Sequence, residues 1–94
     1  GDPFYQSSEV MMLAKELKKL GYNVWIYSGF TYEEILNSND ENMIELLKQC
    51  DVLVDGKFDE QKKDLSLSFK GSSNQRILDI QESLKQGKVV LYDI

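Results

Sequence analysis

Apolar positions recur with two different periods along this chain. Val10, Leu13, Ala14, Leu17 and Leu20 return every three or four residues, which is the spacing of one helix face. Asp2-Pro3 supplies a start for that helix: a carboxylate to accept from free amides, then a proline at the first helical position. Lys15, Lys18 and Lys19 take the opposite face and the last turn, and Gly21 suits the position after the end. A helix is predicted over about 5–20. Val24-Trp25-Ile26-Tyr27 breaks the period; a continuous β-rich apolar run implies a strand covered on both faces. Thr31-x-x-Glu34 and Ser38-x-x-Glu41 each have the form of a capping box, so helices are expected near 32–37 and 40–49. Val52-Leu53-Val54 is the next buried strand, and strand, helices and strand in succession make a βαβ unit with parallel strands.

Beyond Asp55-Gly56 the pattern loosens. Leu65, Leu67 and Phe69 alternate, as a short strand or an extended loop would. Gly71-Ser72-Ser73-Asn74 is a loop signal. Arg76–Ile80 fits strand or helix, Ser83–Gly87 reads as a turn, and Lys88–Tyr92 reads as a strand. The expected fold class is α/β: parallel strands near 23–28 and 51–55 with helices between, plus a C-terminal strand pair near 76–80 and 88–92. Residues 1–94 form a single segment without repeat or linker.

Charge and composition narrow the function. The net charge of −5, from 11 basic and 16 acidic residues, argues against nucleic-acid binding, which needs clustered Lys and Arg. No apolar run approaches the roughly 20 residues of a membrane helix, and no leader is visible, so a cytoplasmic protein is expected. There is no His, which removes imidazole catalysis and His-based metal sites. Cys50 is the single cysteine; at the end of an apolar helical pattern it reads as a buried small hydrophobe.

In parallel α/β sheets, ligands sit outside the carboxyl ends of the strands. The polar or glycine-rich steps there are Gly1-Asp2, Tyr27-Ser28-Gly29 and Asp55-Gly56-Lys57. Asp2 can accept from a ligand ammonium or cap its helix. Tyr27 and Ser28 either line a pocket or pack, while Trp25 reads as core. Asp55 and Lys57 fall on one side if the strand continues that far; a carboxylate beside an ammonium suits a zwitterion, and the alternative is a loop ion pair. Asn74 and Gln75 are expected to hold loop backbone and Arg76 to meet an internal carboxylate. The Glu-rich stretch 33–45 reads as a solvated helix face. No catalytic or metal-ligating residue is assigned.

Three segments together carry a family resemblance. They are Gly1-Asp2-Pro3, Val24-Trp25-Ile26-Tyr27-Ser28-Gly29-Phe30, and the run from Asp51-Val52-Leu53-Val54-Asp55-Gly56-Lys57-Phe58 to Gly71-Ser72-Ser73-Asn74-Gln75-Arg76. The chain resembles the C-terminal portion of the radical S-adenosylmethionine activating proteins of anaerobic ribonucleoside-triphosphate reductases. The resemblance implies a partial (β/α) radical S-adenosylmethionine barrel whose N-terminal, cluster-binding half is absent. It implies S-adenosylmethionine and a [4Fe–4S] cluster as cofactors of the parent protein, and the glycyl-radical reductase as partner. Gly1, Asp2, Tyr27, Ser28, Asp55 and Lys57 become its expected S-adenosylmethionine contacts. The family's Cys-x-x-x-Cys-x-x-Cys loop is missing here, so the chain alone is expected to be inactive. An incomplete sheet is also expected to self-associate. The alternative is a small-ligand or protein-interaction α/β module without catalysis.

Overall fold

A computed structural model of the chain describes residues 1–93. A 3₁₀ turn at Pro3–Gln6 leads into α1, Ser7–Lys19, in place of one helix over 5–20. Asp2 caps the turn, accepting from Phe4 N at 3.0 Å. Gly21 ends α1 at φ 85°, with Tyr22 N donating to Leu17 O and Gly21 N to Lys18 O, which satisfies two of the free carbonyls. Strand β1, Trp25–Tyr27, is followed by α2, Tyr32–Leu36, α3, Glu41–Gln49, and β2, Val52–Asp55. β1 and β2 are parallel, as the βαβ pattern requires.

The Thr31–Glu34 capping box forms, whereas the one expected at Ser38 and Glu41 does not. Asp40 caps α3 instead, accepting from Asn42 N and Met43 N, and Ser38 Oγ donates back to Ile35 O at 2.7 Å. A carboxylate adjacent to the first helical residue outcompetes a hydroxyl two residues further back.

The C-terminal region departs from expectation. β3, Arg76–Asp79, is a strand, but it pairs antiparallel with β2 and so joins the main sheet in the order β1-β2-β3. The expected turn at 83–87 lies in a helix, α4, Ile80–Gln86, capped by Asp79 and closed by Gly87 at φ 70°. Residues 88–92 form no strand; they meet β3 at one antiparallel bridge, Leu78 to Leu91, flanked by Asp79 N to Val90 O and Tyr92 N to Ile77 O. Once the chain turns into α4 at Ile80, the return segment reaches β3 as a short edge strap only. Likewise 65–69 forms no strand: Leu65 is exposed, and Phe69 turns at φ 67° onto Trp25.

Strand alternation sorts the sheet into two cores. Ile26, Leu53 and Leu78 stand in register on the inner face, against Phe4, Ala14, Ile35, Leu46, Leu47 and Ile80. On the outer face Trp25, Val52, Val54 and Ile77 pack with Tyr92, and Phe69 lies 5.3 Å from Trp25. Every residue of β2 is buried, as its continuous apolar run implies. Asp51 ties the amino end of the sheet to α1, accepting from Lys18 Nζ at 2.6 Å and Val24 N at 2.7 Å. The other edge of β1 has no partner strand among the described residues. The sheet is small and mixed.

Candidate functional site

The carboxyl ends of β1 and β2 lie side by side, because Tyr27 pairs with Val54 and Ser28 N donates to Val54 O at 3.0 Å. The amino terminus folds onto this end. Asp2 accepts from Gly29 N at 2.8 Å and from Ser28 Oγ, which lies 2.9 Å from both carboxylate oxygens. Ser28 Oγ in turn accepts from Phe30 N at 3.0 Å. Asp2 thus combines the cap of the first turn with a lock on the loop after β1. Beside it, a cavity of about 210 Å³ is lined by Asp2, Tyr5, Gly29, Phe30, Glu34 and Lys57. The rings of Tyr5 and Phe30 meet edge to face at 5.2 Å. A Cβ at Gly29 would make ordinary van der Waals contact with two lining residues, 3.5 Å from Lys57 Cγ and 3.7 Å from Asp2 Oδ2. A second cavity of about 220 Å³ adjoins it, lined by Tyr27, Ser28, Gly29, Gly56, Phe58 and Gln75.

The structure brings Asp2, Ser28 and Lys57 together and puts Tyr27, half exposed, at the neighbouring cavity. Gly1 is exposed, with open space around its Cα. Asp55 and Lys57 are not on one side, because the strand stops at Asp55 and Gly56 turns the chain at φ 98°. Asp55 is 1% exposed and faces Arg76 and α2. Its oxygens accept from Arg76 Nε at 2.9 Å, Arg76 Nη2 at 2.5 Å and Tyr32 N at 2.7 Å. Arg76 also reaches Glu33 on the first turn of α2, at 2.6 Å. That hydrogen bond holds the Glu33 carboxyl below its ordinary pKa, and the Asp55 hydrogen bonds, then those of Glu33, raise that of Arg76. Lys57 is exposed and has no carboxylate within ion-pair distance among the described residues.

The sequence alone does not single out Tyr5, Phe30 and Glu34 as site residues. Tyr5 and Phe30 belong to segments far apart in the chain, and Glu34 was absorbed by its capping role, which it also fills by accepting from Thr31 N at 2.9 Å.

Residues 1–78 match the family model described as a 4Fe-4S single cluster domain. The chain belongs to that family. Among curated proteins it is 36% identical over 81 residues to the anaerobic ribonucleoside-triphosphate reductase-activating protein of Vibrio cholerae, covering 82% of this chain and 50% of that protein. The protein of the same name from Escherichia coli K12 is 34% identical over 79 residues, 80% of this chain and 49% of the relative. That of enterobacteria phage T4 is 31% identical over 81 residues, 82% and 47%. The chain spans about half the length of the curated relatives it matches. No solved structure matches it.

The 4Fe-4S single cluster domain family implies an iron–sulfur cluster, and the side chains here do not fit one. Cluster irons are held by several Cys thiolates. Cys50 is the chain's only cysteine and is fully buried. Its Sγ donates to Val52 O at 3.0 Å, and burial, with help from the Asp51 charge, pushes its thiol up to about 12. Among the described residues no three His, Cys, Asp or Glu side chains converge. No helix among them is long and apolar enough to cross a membrane.

Proposed function

We propose that this chain is the C-terminal half of an activating protein for an anaerobic ribonucleoside-triphosphate reductase, and that the carboxyl end of its sheet binds the methionyl end of S-adenosylmethionine. The cavity between Asp2, Gly29 and Lys57 carries the reading, because a carboxylate and an ammonium face one small space outside two parallel strand ends. In it Lys57, which has no carboxylate partner among the described residues, meets the ligand carboxylate as a compact charge. The ammonium lies toward Asp2 and Glu34. The rings of Tyr5 and Phe30 form the apolar wall, on which a sulfonium is attracted as other cations are to aromatic faces. When bound, S-adenosylmethionine supplies the radical chemistry implied by the family resemblance; the residues here hold and orient it and carry no redox step. Tyr27 borders the adjoining cavity, and Asp55 acts from behind the site by fixing α2.

The relatives' printed names support the reductase as the partner, and their length supports a larger working domain that supplies the cluster. The test is calorimetric titration of S-adenosylmethionine into the full-length protein. Lys57→Ala should weaken binding by about 1.5–3 kcal/mol, the scale of a hydrogen bond to a charged group. Unchanged affinity returns Lys57 to the solvated surface and removes this reading of the cavity.

A further inference from the structure

The tripeptide Asn74-Gln75-Arg76 touches no part of the Asp2 cavity, yet each of its side chains holds one residue of the turn that carries Lys57. β2 and β3 are antiparallel, with Asp55 opposite Arg76. Continued past the strand ends, that register sets Gln75 against Gly56 and Asn74 against Lys57. Backbone pairing stops there, because Gly56 turns at φ 98°. Side chains take over in the same register. Arg76 grips the Asp55 carboxylate, Gln75 Nε2 donates to Gly56 O at 3.0 Å, and Asn74 Nδ2 donates to Lys57 O at 2.8 Å.

The far ends of the two amides are fixed as well. Gln75 Oε1 accepts from Gly71 N at 2.9 Å and Ser72 N at 3.2 Å, and Asn74 Oδ1 accepts from the hydroxyl of fully buried Ser72 at 2.6 Å. Each carbonyl is thereby turned to its own loop and each amino group to the turn after β2. A loop that needed only internal satisfaction would not direct both amino groups across to successive carbonyls of another segment.

We infer that Asn74, Gln75 and Arg76 are positioning residues, which extend the β2–β3 register through side chains and so hold Lys57 at the mouth of the Asp2–Gly29 cavity. The ligand-facing half of this inference rests on the S-adenosylmethionine reading; the ordering of the turn does not. A lysine ammonium rides on a flexible four-carbon stem, so its aim depends on how firmly its backbone is held.

Asn74→Asp and Gln75→Glu separate positioning from loop stability, since each removes the donor to the turn and keeps the oxygen that satisfies the loop. In the full-length protein, backbone ¹⁵N relaxation of the double variant should show the order parameters of Gly56 and Lys57 falling from about 0.85 to below about 0.6. S-adenosylmethionine affinity should drop about five- to tenfold, the effect of a lost hydrogen bond, when Lys57 is present. The same pair of changes should have no effect in a Lys57→Ala background. A turn that stays ordered in the double variant overturns the inference, as does an equal loss of affinity with and without Lys57. Should Lys57→Ala alone leave affinity unchanged, the ligand reading fails, and relaxation then decides the inference by the same criterion.

Discussion

Arg76→Met should be among the most damaging single changes outside the apolar core. It removes the cation from a carboxylate that is 1% exposed, leaving Asp55 with the Tyr32 amide as its remaining donor. An uncompensated buried charge costs about 3–5 kcal/mol. The guanidinium is a third exposed, so water can enter the space it vacates, and the lower end, about 3 kcal/mol, is expected. Small domains hold about 5–15 kcal/mol in all, so this is a large share. Glu33→Gln removes only the outer partner, whose side chain is 55% exposed, and should cost about 0–1 kcal/mol. The double change Asp55→Leu/Arg76→Met removes both charges together and should recover much of the loss. Urea unfolding followed by the fluorescence of Trp25, the single tryptophan, reads the series by its midpoints. The reasoning is refuted if Arg76→Met stays within about 1 kcal/mol of the parent, or if Glu33→Gln is as costly.

Three further outcomes are expected. The raised Cys50 thiol keeps its proton in the folded state when the unfolded chain has lost it, so its contribution is complete below about pH 9 and declines as pH rises toward about 12. Native protein at pH 8 should therefore resist thiol reagents until denaturant is added, and rapid labelling without unfolding would contradict the burial. Reconstitution of the 94-residue chain with iron and sulfide should give no [4Fe–4S] absorption, because only one cysteine is present and it is buried; stoichiometric cluster uptake would overturn this. The edge of β1, which has no partner strand among the described residues, should drive self-association of this chain, since open strand edges template pairing; sedimentation showing a monomer at all concentrations would sink that expectation.

What could be read in the sequence was local. Thr31-x-x-Glu34 and Gly21 act on neighbours within a few residues and do what their type and spacing imply, while Asp2-Pro3 starts a 3₁₀ turn ahead of α1 and Asp2 also reaches the loop after β1. The two parallel strands were legible because a short, fully apolar run tolerates little else. The C-terminal errors have one origin. Ile77 and Ile80 fit a strand or a helix equally, and the choice fell to contacts remote in sequence: β2 captured 76–79, and the Asp79 cap then released the chain into α4. The same limit applied to the site. Asp55 and Lys57 look like a pair by spacing, but Gly56 at positive φ parts them, and the partner that claims Asp55 lies 21 residues away.

That partition decides which charge is left for a ligand. A carboxylate offers about four lone-pair positions. Asp55 has three donors on its two oxygens and is closed off from solvent. Asp2 also has three donors, in Phe4 N, Ser28 Oγ and Gly29 N, so most of its capacity is used in folding the amino terminus onto the sheet. Glu34 gives one oxygen to its own helix start. Lys57 is the exception, a cation at the cavity with no carboxylate partner among the described residues. On the proposed reading, recognition at this end of the sheet falls first on the ligand carboxylate, and the acidic side chains serve chiefly to fix the walls. This is why the order of the turn after β2 matters more than its charge content. On the proposed reading the ligand carboxylate meets the side chain of Lys57, and the amides of Asn74 and Gln75 hold the backbone from which that side chain reaches.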